Sequence, residues 1–267
     1  MGQGDAILVQ TPGAALLVDA GTARPGGSDT GMRHVLPALA ALDVHRLDLV
    51  IATHADLDHR GGLPAVLEAL PVGAVWVPYG SRDDPGFASV RTVAARRGVP
   101  VHERGWGSPP LERNELRVTP LWPPASASGH SRNDRSLVVR VDVSDRRILL
   151  AGDVESLAES ALLASAADLR ADVLALPHHG GRTSSSRALL RRVAARLAVA
   201  SAPCRGRFGM PHPEVLARAA DAHLSVWWTG RDGAVMVGLA EPLVAWGRAT
   251  PGADSARIED DASTQSP

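Results

Sequence analysis

Apolar and polar positions fall into two rhythms along this chain. The runs 6–10 ("AILVQ") and 14–21 ("AALLVDAG") flank Thr-Pro-Gly at 11–13, which predicts a β-hairpin. Residues 31–44 ("GMRHVLPALAALDV") carry helical spacing, with Pro37 near the start. Residues 47–54 ("LDLVIATH") are nearly all apolar, as in a strand buried on both faces. A helix over 63–70, a strand over 73–78 and a helix over 87–98 stopped by Gly98 follow. A strand is predicted over 115–123, then a loop to 134 and a hairpin over 136–153 turning at Ser144-Asp145. Helices over 154–165, 184–196 and 212–223 alternate with strands over 171–180 and 197–202, and two last strands end near Trp246. A serine cap starts the helix over 184–196. This alternation predicts an α/β protein with sheets covered by helices. Residues 1–247 read as one domain, and 248–267, polar and without periodicity, as a disordered tail.

Composition narrows the function classes. Of 267 residues 45% are hydrophobic and 21% charged, which suits a full core. The net charge of −1 gives no global basic field for nucleic acid. All 28 Lys+Arg positions are Arg, which resembles a coding bias and weakens the Arg count as evidence for phosphate binding. Cys204 stands alone, so the chain has no disulfide partner of its own. No apolar run approaches the roughly 18 residues of a membrane span, and no signal peptide is read at the N-terminus.

The chemistry collects at strand tips. Predicted strands run into Asp19, His54, Asp153 and His178-His179, where layered sheet proteins place their sites. The densest stretch, "THADLDHRGG" at 53–62, holds His54, Asp56, Asp58 and His59. Imidazole mixed with carboxylate suits Zn²⁺ or Mn²⁺. His34, His45, His102 and His223 stand outside any cluster and read as solvated; His130 reads as a loop residue three positions from Asn133. Trp227-Trp228 read as sheet core, and 187–196 as a helix with a solvated basic face.

"GQGDAILVQTP", "LVDAG", "THADLDHRGG", "NDRSLVV", "LLAGDVE" and "LPHHG" together resemble the metallo-β-lactamase superfamily, and within it the C-terminal hydrolase domain of ComEC-type DNA-uptake proteins. The resemblance covers roughly residues 2–238. It implies an αββα four-layer sandwich. It implies a first metal on His54 and Asp56, a second on Asp58, His59 and His179, and Asp153 bridging them. His178 and His212 would face the substrate, Asn133 takes the place of a frequent ligand histidine, and Asp5 and Asp19 would support the ligands. Gly181 stands where a serine is common. The resemblance also implies an apolar strand before "GQGD", so the sandwich is expected to lack its first strand, with Met1 in a Val position.

The expected function is dinuclear hydrolysis of phosphodiesters. Two Mn²⁺ or Zn²⁺ ions act as cofactors, Asp58 has a catalytic part in holding them, and His178 or His212 protonates the leaving alkoxide. The expected substrate is DNA, single-stranded by preference, in a process linked to DNA uptake (competence). A free-standing chain would be cytoplasmic; a detached part of a channel protein would work at the membrane. Alternatives are a hydrolase of small phosphodiesters or other esters, and a non-catalytic module of a DNA-uptake channel. Asp56 and Asn133 count against lactam or thioester hydrolysis, which usually relies on a three-histidine first site.

Overall fold

The computed structural model describes residues 4–24, 26–126, 130–247 and 256–257. One sheet contains β1 (Ile7–Thr11), β2 (Ala14–Val18), β3 (Leu49–Ile51), β4 (Val75–Pro78) and β5 (Val101–Arg104), in that order. The β1–β2 pair is the antiparallel hairpin, and β2 to β5 run parallel. The second sheet runs from β6 (Leu111–Arg113) through β7 (Leu116–Trp122), β8 (Val138–Val143) and β9 (Arg146–Leu150) as an antiparallel meander. It continues in parallel through β10 (Val173–Ala175), β11 (Leu197–Ala200) and β12 (Ser225–Trp228). A small third sheet joins β13 (Val235–Gly238), β14 (Val244–Gly247) and β15 (Ala256–Arg257). Apart from β15, the tail expected to be disordered lies outside the described residues, as do Gly2 and Gln3 of the opening turn.

Strand alternation builds four layers. Leu16, Val18, Leu49 and Ile51 point between the sheets and meet Val139, Val141, Ile148, Leu150, Val173 and Leu197. Their neighbours Ala15, Leu17 and Val50 face the other way, against Val35, Leu39, Leu63, Val66 and Leu67. Those belong to α1 (Leu36–Ala41) with the turn before it, and to α3 (Leu63–Ala69); α4 (Ala88–Arg96) adds Val90 and Ala94. On the second sheet Leu149, Leu174 and Ala198 pack on α5 (Ser156–Ala164), α6 (Arg187–Val193) and α7 (Pro213–Asp221) through Leu162, Leu189, Leu190 and Val215. The architecture is an αββα sandwich. Each fully buried Leu or Ile contributes about 1.5–3 kcal/mol relative to exposure, so these three apolar layers dominate stability.

Several elements differ from the sequence reading. β5 and β6 were not predicted, because "VHER" and "LER" are half polar and too short to alternate visibly. Three strands rather than two lead up to Trp246, β12, β13 and β14, with the short helix α8 (Thr229–Asp232) between the first pair. Asp58 and His59 lie on the one-turn helix α2 (Leu57–Arg60), absent from the sequence reading, with Asp56 at its N-cap.

Candidate metal centre

Four parallel strand ends deliver the site. β2 ends at Asp19, whose φ of 57° turns the chain in the left-handed region. β3 runs into Thr53 and His54, β9 into Asp153, and β10 into His178 and His179. His178 and His179 have φ of 50° and 55°, two consecutive left-handed residues that cost about 1–2 kcal/mol each. Such conformations persist where the surroundings enforce them, commonly at functional sites. Gly152 makes the turn before Asp153 with φ 54°; a Cβ there would lie 2.8 Å from the Ser136 Cβ. The turns interlock: His178 N–H donates to Gly152 O (3.0 Å), Leu137 N–H to Thr53 O (2.7 Å), and Asp153 N–H to Ser136 Oγ (3.1 Å).

At the centre Asp153 addresses three imidazoles. Its Oδ1 is 3.2 Å from His59 Nε2, and its Oδ2 is 3.5 Å from His179 Nε2 and 3.9 Å from His54 Nε2. His59 Nε2 lies 3.3 Å from His179 Nε2. Asp58 Oδ2 is 3.8 Å from His179 Nε2, and Asp56 Oδ2 is 3.9 Å from His54 Nε2. Two groups of potential ligands follow, His54–His59–Asp153 and Asp58–His59–His179, and Asp5 joins Asp153 and His179 in a third. His54, His59, Asp153 and His179 are buried.

Electrostatics match a cation-binding cluster. Burial works against ionising Asp153, but the charges of His59, His179 and His54 outweigh it and hold its carboxyl far below the usual range. Burial likewise opposes a charge on His59, yet Asp153 and Asp19 hold that imidazole well above its ordinary value. Asp153 and Asp5 do the same for His179, again against burial. Burial, then the charge of His59, pulls His54 down. His54 Nε2 is buried without a hydrogen-bond partner, its carboxylate neighbours being too distant for one. A buried, neutral imidazole nitrogen aimed at two carboxylates fits a divalent cation, and these residues form a divalent-metal site.

A second layer holds these groups. Asp19 accepts from the Thr53 N–H (2.9 Å) and hydroxyl (2.6 Å), and its Oδ2 is 2.8 Å from His59 Nδ1. That leaves His59 Nε2 facing the cluster. Asp5 Oδ1 lies 3.3 Å from His179 Nδ1. Gly4 packs on the carbonyl of Asp58, where an added Cβ would sit 2.2 Å from the oxygen. Asp56 makes no side-chain cap on α2, which frees its carboxylate; Oδ1 pairs with Arg132 Nη1 at 3.0 Å.

The structure thus brings together His54, Asp56, Asp58, His59, Asp153 and His179, with Asp5 and Asp19 behind them. His178 stands beside His179, and Glu155 Oε1 is 3.3 Å from its Nδ1. Asn133 lies half-buried on the turn Asn133–Arg135 and His212 caps α7; neither joins the ligand groups found among the described residues. The His212 Nδ1 accepts from Glu214 N–H (3.3 Å) and its Nε2 lies 2.9 Å from Arg182 Nη2, so this ring is engaged away from the cluster. Sequence reasoning missed Thr53, Arg132 and Glu155. Thr53 and Arg132 sit inside quoted or neighbouring motif segments, but only the folded register shows what they touch.

The profile described as the metallo-beta-lactamase superfamily matches residues 1–203. Competence protein ComA of Neisseria gonorrhoeae is 30% identical over 239 residues, covering 89% of this chain and 31% of that protein. The uncharacterized protein YcaI of Escherichia coli (strain K12) is 34% identical over 218 residues, covering 80% of this chain and 26% of that protein. The chain therefore spans about a quarter to a third of the length of these relatives. Among solved structures, CmlA, a diiron beta-hydroxylase from Streptomyces venezuelae, superposes with a TM-score of 0.53 at 15% identity, over 84% of this chain and 51% of that one. That likeness concerns the fold. With the profile running through every ligand-bearing strand from β2 to β10, the chain belongs to the metallo-β-lactamase superfamily.

Proposed function

We propose that this chain is a metal-dependent phosphodiester hydrolase that uses two divalent ions and acts on DNA. The observation that carries the reading is Asp153, whose Oδ2 is 3.5 Å from His179 Nε2 and 3.9 Å from His54 Nε2, imidazoles that would serve different ions, and so suits a carboxylate shared by two ions. His54 and Asp56 would hold one ion, and Asp58, His59 and His179 the other. Bound there, divalent ions would supply Lewis-acid polarisation of a phosphoryl oxygen and a water acidic enough to act as nucleophile near neutral pH.

The chain's own groups do the rest. Asp19 and Asp5 fix the ligand histidines from behind. The Glu155 carboxylate beside Nδ1 orients His178, which holds a proton for the leaving alkoxide. His212, engaged with Arg182 and the α7 cap, leaves the proton-holding role to His178. Three carboxylates among six ligands favour Mn²⁺ over Zn²⁺ in turnover, although raw affinity still favours Zn²⁺. The relation to a competence protein supports a DNA substrate, and with it a membrane DNA-uptake channel as the partner assembly.

The test is a metal-supplemented panel of single-stranded DNA, duplex DNA, RNA, bis-p-nitrophenyl phosphate and nitrocefin. Cleavage of single-stranded DNA, faster with Mn²⁺ than with Zn²⁺, is expected. Hydrolysis of nitrocefin alone, or of nothing by a metal-loaded chain, overturns the reading.

A further inference from the structure

Beside the metal cluster the surface changes sign. A hollow opens next to His54, lined by Tyr79, Ser81, Asp84, Arg132 and Arg135. Arg132 reaches Asp56 with one nitrogen, and half of its side chain stays in solvent. Because Asp56 also faces His54, that guanidinium stands one residue away from the cluster. A guanidinium carries five N–H donors, so most of those on Arg132 remain for another acceptor.

Arg60 stands close by. It leaves the end of α2, donates from Nε to Ala55 O (3.0 Å) and from Nη1 to Ser89 Oγ (3.3 Å). Ala55 lines the hollow, so the Arg60 guanidinium lies against its wall. The Arg135 Nε, buried without a hydrogen-bond partner, lies in the same wall. Arg60, Arg132 and Arg135 against Asp56 and Asp84 leave this rim net positive on a chain of net charge −1. With Asp56 taking one nitrogen of Arg132, donors remain for a further anion, and phosphate is one whose geometry the guanidinium fork matches.

We propose that Arg132 and Arg60 are specificity-determining residues that hold the phosphate next to the scissile one, selecting a polynucleotide strand over a small phosphodiester. The inference rests on the phosphodiesterase reading and gives it a substrate class. A small diester has one phosphate and fills only the metal cluster. A strand has neighbouring phosphates, and the rim beside His54 takes the next along. Arg132, tethered to Asp56, keeps that phosphate in register with the metal site. Asp84 limits the site to a single phosphate by opposing further anions.

The test compares the metal-loaded full chain with R60Q, R132Q and the double variant. Binding of a fluorescent, phosphorothioate-linked oligo-dT 12-mer is measured by anisotropy from low to moderate salt. The double variant is expected to bind about tenfold more weakly. Its dependence of log Kd on log salt should be shallower by about 0.7, the value for one lost single-strand phosphate contact. Loss of kcat/KM on oligo-dT should exceed the loss on bis-p-nitrophenyl phosphate by about tenfold. Elemental analysis should still find the wild-type metal content. Equal losses on both substrates would mean that Arg132 acts only through Asp56, and would overturn the proposal. So would unaltered binding and salt slope in the variants while wild type still cleaves DNA, which leaves the hydrolase reading standing. A wild-type chain that neither binds nor cleaves any phosphodiester brings down both.

Discussion

Asp19 Oδ2 lies 2.8 Å from His59 Nδ1, and the same oxygen accepts the Thr53 hydroxyl at 2.6 Å. One buried carboxylate therefore sets the tautomer of a ligand histidine and pins the end of β3. Asp19→Asn should weaken metal binding about 10–100-fold, the usual penalty for removing such an outer partner. Thr53→Val should have a smaller effect in the same direction. Metal titrations followed by elemental analysis check both, and wild-type affinity in Asp19→Asn would refute the role.

Metal binding should release protons. In the metal-free protein His59 and His179 are held above their ordinary pKa and His54 below it. The unfolded reference is about 6.5. The raised pair thus adds stability that is complete below pH 6.5 and lost as pH climbs through the folded values. The lowered His54 acts only below pH 6.5, where rising pH favours the folded state. Above pH 6.5 the melting temperature of the metal-free chain should accordingly fall with pH, while the metal-loaded chain holds level, its ligands already deprotonated. Calorimetric titration in buffers of different ionisation enthalpy should record proton release on metal addition. Parallel melting curves for the two forms would contradict this.

Asp58→Ala and Asp153→Ala should each abolish turnover with the fold retained. Each removes a negative charge beside His179, and Asp153 also faces His59 and His54. Circular dichroism should be unaltered and bound metal should fall, further for Asp153→Ala. Full metal content in Asp153→Ala would remove its bridging assignment.

Gly4 and Gly80 both have positive φ, but only Gly4 is crowded, against the Asp58 carbonyl; nothing lies within 4 Å of a Cβ at Gly80. Gly80→Ala should cost about 1 kcal/mol of stability through backbone strain alone. Gly4→Ala should cost more and also lower metal affinity, since α2 must shift. Thermal melts and metal titrations of the two variants separate the effects.

Much of this site was legible because its chemistry is local. His54, Asp56, Asp58 and His59 lie within six positions, and Asp153 and His178-His179 close apolar runs that any strand reading would find. The layers were legible for a similar reason: stretches such as 49–52 are apolar at every position, so both strand faces had to be buried. What stayed hidden depends on contacts between distant segments. Arg132 meets Asp56 across 76 positions, and Glu155 meets His178 through a left-handed turn. The helix α2 is a single turn, too short for helical periodicity to register. β5 and β6 carry no alternation because they are brief and half-exposed or exposed.

His59 and His179, whose nitrogens nearly touch, stand 120 positions apart, on opposite halves of the chain and different sheets. An ion held by both is a cross-link closing a loop of that length. For a covalent bridge, chain-entropy reasoning puts the effect of a loop of about 100 residues near 4.7 kcal/mol. A chain still in synthesis has no such site: its first half ends with His54 and His59 lacking Asp153 and His179. Metal capture is thus a late event in folding, one that reports the meeting of the two halves and then locks it.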